Sequence, residues 1–327
     1  MKQEIILYKK FPEKLIEELK KHFIVHIHTL KNEMDPSFYD DLQRASGIIG
    51  SRLEVNRELL NRAPNLKIVV NTSVGYDNFD IKEITKRGIM ATNTPDVLTE
   101  TVADTVFGLI LATARRIPEM DVYVKAGNWD VDPIPESLFG VDVHHKTLGI
   151  IGMGRIGAAI VRRAHLGFKM NILYHNRSRN AQAEKEYNAQ YVDFDALFQK
   201  SDFVCVMAPL TKETVHLISK REFQLMKNTA VFINASRGKL VDEGALVEAL
   251  QQKEILAAGL DVYSEEPVNK NHPLLKMKNV VTLPHIGSAT KKTRYEMMKL
   301  GVENLIKGLN GEVPPTLINK EVLKERR

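Results

Sequence analysis

Short runs rich in Val and Ile recur along the chain, each parted from the next by a stretch with a spaced apolar face, and this alternation constrains the fold more than any other feature. Strands joined through helices run parallel, because a parallel pair needs a crossover of a dozen or more residues. The first hundred residues offer strands at 5–8, 23–27, 47–50, 67–71 and 89–92, with helix formers over 13–21 and 57–62. A second series covers 147–152, 170–174, 203–208, 230–234, 257–261 and 280–283, with the clearest helices at 156–166, 220–226 and 244–253. Between the series lies a long helix over 98–116 that Thr99 or Thr101 can cap. The cluster Asn93-Thr94-Pro95-Asp96 before it breaks a strand and marks a crossing point between domains. Residues 127–146 read as an extended arm, 291–309 as a last helix that returns to the first domain, and 320–327 as a solvated tail.

A length of 327 residues is about two domains' worth at ~150 residues each. With 43% hydrophobic and 27% charged residues, the chain is neither disordered nor fibrous. Its 46 basic and 41 acidic residues leave a net charge of +5, without the concentrated basic stripe that a nucleic-acid groove requires. Cys205 is the one cysteine, so no disulfide forms within the chain and a reducing compartment is expected. The first apolar run is too short for a secretion signal, and no stretch approaches the ~18 apolar residues of a membrane span, so a cytoplasmic place is expected.

Gly152, Gly154 and Gly157 form a G-x-G-x-x-G between an apolar strand and an amphipathic helix, the context in which this motif binds a dinucleotide. The first glycine permits the turn, the second lets a pyrophosphate approach the backbone, and the third lets helix and strand pack closely; the helix amides meet the phosphate charge. The second strand ends in His175-Asn176-Arg177-Ser178-Arg179, with no acid for the ribose hydroxyls of NAD. Asn176, Arg177, Ser178 and Arg179 suit a 2′-phosphate instead, so NADP(H) is expected to be preferred, with NAD(H) as the other cofactor.

The glycine motif, Asn234-Ala235-Ser236-Arg237-Gly238, Asp261-Val262-Tyr263-Ser264-Glu265-Glu266-Pro267 and Pro284-His285-Ile286-Gly287-Ser288-Ala289 occur in one order that resembles the D-isomer-specific 2-hydroxyacid dehydrogenases. The likeness extends to Thr72-Ser73-Val74-Gly75-Tyr76-Asp77 and covers nearly the whole chain. Within the family, His144-His145-Lys146, Arg155-Ile156-Gly157 and 284–290 are most similar to the bacterial glyoxylate/hydroxypyruvate/2-ketogluconate reductases.

The resemblance implies an α/β fold of two doubly wound parallel-sheet domains, with a Rossmann cofactor domain at 98–287 inserted in a flavodoxin-like substrate domain formed by 1–97 and 288–327. It implies domain closure and reduction of a small 2-keto acid to the D-2-hydroxy acid. Arg237 would engage carboxylate and carbonyl, His285 would be the general acid, and Glu266 would hold the imidazole, with Glu265 its near rival. On the cofactor side the resemblance places Arg155, Ile156, Ala208, Pro209, Ala235, Asp261 and Gly287; on the substrate side it places Leu53, Val74 and Gly75. A homodimer is a family expectation. Rival readings are a dinucleotide-binding corepressor, a phosphoglycerate dehydrogenase and a formate dehydrogenase.

Other constellations carry less. His22, His26 and His28 lack a cysteine or a closely spaced acid to complete a zinc site, and read as exposed strand histidines. The adjacent His144 and His145 are expected to point apart on an extended segment. Ser236 lacks the glycine two positions before it that a hydrolase elbow requires.

Overall fold

The computed structural model describes residues 2–29 and 36–324. Two compact units emerge, Met1–Leu98 with Ala289–Arg327, and Thr99–Ser288, called unit 1 and unit 2 below.

Unit 1 is built on the strands β1 (Glu4–Leu7), β2 (Ile24–Ile27), β3 (Ala45–Gly50), β4 (Ile68–Asn71) and β5 (Met90–Thr92). They form one parallel sheet in the order β2-β1-β3-β4-β5. This is the flavodoxin-like order, whose switch point lies between β1 and β3. The helices α1 (Glu13–His22), α2 (Pro36–Leu42), α3 (Arg57–Asn61) and α4 (Ile81–Lys86) make the crossovers. Apolar residues alternate between the two faces of β1, so Ile6 packs with Phe38, Leu42 and Leu59 while Ile5 and Leu7 pack with Leu15, Leu19 and Leu305.

Unit 2 opens with α5 (Thr99–Ala114) and α6 (Ile117–Lys125). It continues with β6 (Thr147–Ile151), α7 (Arg155–Phe168), β7 (Asn171–His175), α8 (Ala181–Tyr187), β8 (Gln190–Tyr191), α9 (Phe194–Lys200) and β9 (Phe203–Val206). It closes with α10 (Lys220–Leu225), β10 (Val231–Asn234), α11 (Glu243–Gln251), β11 (Ala257–Leu260) and β12 (Val280–Thr282). The parallel order β12-β11-β10-β9-β6-β7-β8 is that of a Rossmann fold with one further strand at an edge. Cys205 sits in β9 and is fully buried, which pushes its thiol pKa up to about 12.

The last helix, α12 (Lys291–Leu309), belongs to unit 1; Val302, Leu305 and Leu309 join the core with Ile49, Ile68 and Val70. Three expectations change. Residues Lys320–Leu323 are a short 3-10 turn with Val322 fully buried, not a solvated tail, because Asn319 ties the segment to β5 by accepting from the Ala91 N–H at 2.8 Å. Residues 325–327 lie outside the described ones. His26 and His28 are not exposed: His26 meets Glu4 at 2.7 Å and Asp41 at 3.2 Å, and His28 meets Asp41 at 2.9 Å. Distant strands and helices supply the acids that local spacing lacked. His144 and His145 do not point apart, since φ of +60° at His145 turns the chain and brings the two Nδ1 atoms to 2.9 Å. Among the described residues no group of three or more His, Cys, Asp or Glu could hold a metal ion.

Candidate active site

In unit 2 the candidate side chains follow three neighbouring strands: Arg237 comes after β10, Asp261 and Glu266 after β11, and His285 after β12. Open α/β sheets hold their ligands beyond these carboxyl ends. Each loop is fixed by a specific contact. Buried Asn234 accepts from the Ser236 N–H at 3.2 Å and donates to the Arg237 carbonyl at 3.0 Å, which sets the turn that carries the guanidinium. Next comes Gly238, where an added Cβ would stand 1.8 Å from the Tyr263 carbonyl carbon. Only glycine lets the loops after β10 and β11 come so close.

Glu266 accepts from the His285 imidazole, Nδ1 to Oε2 at 2.7 Å, and from the Tyr263 N–H at 3.3 Å. Of the two adjacent acids, Glu266 is the one in contact with the imidazole. A carboxylate only accepts, so Nδ1 carries the proton and Nε2 is the atom left to exchange one. The His285 backbone is left-handed, with φ of +56°. Such a conformation persists when its surroundings over-determine it. Here Asp261 does so, its two carboxylate oxygens accepting from the Ile286 N–H at 2.7 Å and the Gly287 N–H at 2.8 Å. Burial raises the Asp261 pKa, against the pull of those two amides. Thr105 of α5 closes the loop by donating to the Gly287 carbonyl at 3.2 Å.

The glycine turn has the form that its sequence demands. Gly152 takes φ of +102°, and a Cβ there would stand 2.6 Å from the Met207 carbonyl carbon; one on Gly157 would stand 2.3 Å from the Gly152 oxygen. At Gly154, which caps α7, a Cβ would meet nothing within 4 Å. The turn thus leaves open space at Gly154 before the first amides of α7, and amides at a helix start suit a phosphate charge. The Ser236 hydroxyl donates to the Ala208 carbonyl at 2.6 Å, joining the loop after β9 to the Arg237 turn.

A family model described as "D-isomer specific 2-hydroxyacid dehydrogenase, NAD binding domain" matches residues 107–287. The chain belongs to the D-isomer-specific 2-hydroxyacid dehydrogenases. It is 50% identical to a glyoxylate/hydroxypyruvate reductase B of Klebsiella pneumoniae over 98% of this chain and 100% of that one. With the corresponding protein of Salmonella typhimurium it shares 51% identity over 98% and 99%. Among solved structures, an NADPH-dependent glyoxylate/hydroxypyruvate reductase of Sinorhizobium meliloti in complex with NADP and malonate matches with a TM-score of 0.86, 34% identity and 97% of each chain. A glyoxylate reductase of Paecilomyes thermophila gives a TM-score of 0.88 at 30% identity, over 98% and 99%. This dehydrogenase is thus an oxidoreductase that uses a nicotinamide dinucleotide to reduce a 2-keto acid.

In the dehydrogenase, loop contacts separate residues that the sequence treats alike. Arg177 and Arg179 are both exposed, and Arg179 donates to Glu184 at 2.9 and 2.8 Å. Tyr174 also donates to Glu184, and Asn180 reaches from the same loop to the Met153 carbonyl at 3.2 Å, tying the end of β7 to the glycine turn. Asparagine before a helix is a readable cap signal, and Asn180 does cap α8, but its second bond needs the fold to be seen. Leu53 in unit 1 is 6% exposed, and its left-handed neighbour Arg52 is exposed. Val74 and Gly75 do sit in a fixed loop. The Ser73 carbonyl accepts from the Thr94 N–H at 3.0 Å and the Val74 carbonyl from Asn93 at 2.8 Å, which orients the peptide planes carrying the Val74 and Gly75 N–H groups.

Proposed function

We propose that the dehydrogenase reduces glyoxylate, hydroxypyruvate or 2-ketogluconate to the D-2-hydroxy acid, with NADPH preferred to NADH. The 2.7 Å contact between His285 and Glu266 carries this reading, because it leaves one imidazole nitrogen to serve as a proton donor. Reduced nicotinamide, when bound, supplies the hydride. His285 Nε2 gives its proton to the oxygen that becomes the hydroxyl, and Glu266 steadies the imidazolium before the transfer and the neutral ring after it. Arg237 holds the keto acid through its planar fork and stabilises the negative charge that develops on the carbonyl oxygen. Asp261 positions His285 through the two amides beyond it. The Val74 and Gly75 N–H groups receive the substrate carboxylate, which makes unit 1 the substrate domain.

Gly152, Gly154, Arg155, Ile156 and Gly157 would hold the pyrophosphate, with Ala208, Pro209 and Ala235 along the rest of the dinucleotide. Arg177, Ser178 and Asn176 would read the 2′-phosphate; the Arg179 charge is already matched by Glu184. The helix α6 has no buried residue, and Ile117, Val122, Val124, Trp129, Val131 and Phe139 are all exposed on unit 2. A second copy of the chain would cover them, making a homodimer.

Reduced-cofactor absorbance, followed with a panel of 2-keto acids and both dinucleotides, tests the proposal. Turnover with NADPH above NADH is expected, and Arg177→Asp should invert that ratio. Flat traces with every acid, with dinucleotide affinity intact, would overturn the assignment in favour of a binding protein. His285→Ala should lower kcat by about 10³-fold and keep dinucleotide affinity within about twofold by fluorescence titration.

A further inference from the structure

We infer that Glu243, steadied by His272, is a positioning residue that holds the loop after β11 so that Glu266 meets His285. The inference rests on the reading of His285 as the proton donor, and every residue in it belongs to unit 2.

Glu243 is the first residue of α11, yet the helix is capped without it: the Asp242 side chain accepts from the Ala245 N–H at 3.2 Å. The Glu243 carboxylate joins two loops instead. Its Oε1 accepts from the Ser264 N–H at 2.6 Å, and its Oε2 lies 3.4 Å from His272 Nε2. With the side chain only 17% exposed, these contacts replace much of the water that a carboxylate needs. His272 is fixed in turn, because its Nδ1 accepts from the Leu274 N–H at 3.4 Å at the start of the turn Pro273–Lys276. Nδ1 is therefore the unprotonated nitrogen, and the proton on Nε2 faces Glu243.

The peptide between Tyr263 and Ser264 is gripped from two sides. Its carbonyl lies against Gly238, and its N–H is the one that Glu243 receives. One residue back, the Tyr263 N–H donates to Glu266 Oε1 at 3.3 Å, and Glu266 Oε2 accepts from His285 at 2.7 Å. Two imidazole–carboxylate pairs, His272 with Glu243 and His285 with Glu266, thus meet through one stretch of backbone. Without Glu243 the Ser264 N–H loses its acceptor, and the Tyr263 amide that steers Glu266 moves with it. The contact to His285 is directional, so a small displacement of Glu266 reaches the imidazole.

Kinetics and proton resonance test this role in the full chain. Glu243→Ala should lower kcat about tenfold to a hundredfold, while KM for glyoxylate and the dinucleotide dissociation constant each stay within about twofold. Glu243→Gln keeps an oxygen for the Ser264 N–H, and its kcat should stand between those of Glu243→Ala and the parent. His272→Asn should show the same split at a smaller size, and it decides the matter if Glu243→Ala does not fold. An unchanged kcat in the folded variants, or equal losses in kcat and dinucleotide affinity, overturns the inference. Without dinucleotide, the His285 Nδ1 proton bonded to Glu266 should give a downfield resonance, identified by its loss in His285→Ala. Glu243→Ala should broaden or remove that signal, and Glu243→Gln should retain it. No such signal in the parent, or one that Glu243→Ala leaves unchanged, overturns the inference. If the parent reduces no keto acid, the proposed activity fails while the resonance still decides the role of Glu243.

Discussion

Asp261 accepts from the two amides that follow His285 and so governs where the imidazole stands. Asp261→Asn would set an amide N–H₂ against the Ile286 or Gly287 N–H, leaving one buried donor unpaired at about 1–3 kcal/mol. The expected outcome is a lower thermal midpoint with kcat at least tenfold down and dinucleotide affinity nearly kept. The motif at Asp261 is visible in the chain, but its partners are not, because they meet it only once β11 and β12 are paired in register. Lys9 shows the opposite relation between fit and stability. Its folded pKa of about 8 lies below the ordinary 10.5, so the folded state binds the proton less well than the unfolded one. The penalty is full below pH 8 and gone above 10.5, and stability rises with pH between them. Lys9→Met should therefore stabilise the chain at pH 7 by about 1–2 kcal/mol, after allowance for its partial exposure, and the difference in thermal midpoint should vanish by pH 10.5.

At the scale of elements, the site is a bundle of strand-end loops held at fixed spacing. Gly238→Ala would drive a methyl group into the Tyr263 carbonyl, and the loops after β10 and β11 must part. A loss of about 3 kcal/mol or more in denaturant unfolding is expected, together with loss of turnover. The strands were legible because a fully buried parallel strand is an unbroken apolar run, as in Val231–Asn234. β8 was not, since two exposed residues carry no period, and the short helices α2, α4 and α9 offer too few turns for one. Burial of Val322 was hidden for another reason: a single apolar residue among charges says nothing about the groove that receives it.

In the whole molecule, two sheets with different strand orders come from one chain that enters unit 2 at residue 99 and leaves it at residue 288. The uncovered apolar residues of α6 and the arm give the proposed dimer a direct test. Val122→Glu should convert the sedimenting species from dimer to monomer while unit 2 keeps its melting profile, and an unaltered mass would refute that interface. The motifs of the strand-end loops are readable in the sequence because each is contiguous.

One sulfur atom offers a clock for the Rossmann unit. Cys205 lies in β9 between β6 and β10, with no exposed surface and a thiolate strongly disfavoured at neutral pH. An aromatic disulfide reagent can react only after the strands separate, so the labelling rate in native buffer measures how often this half of the enzyme breathes open. Saturating dinucleotide should slow the clock, and chemical damage by mild oxidants should pass the folded protein by.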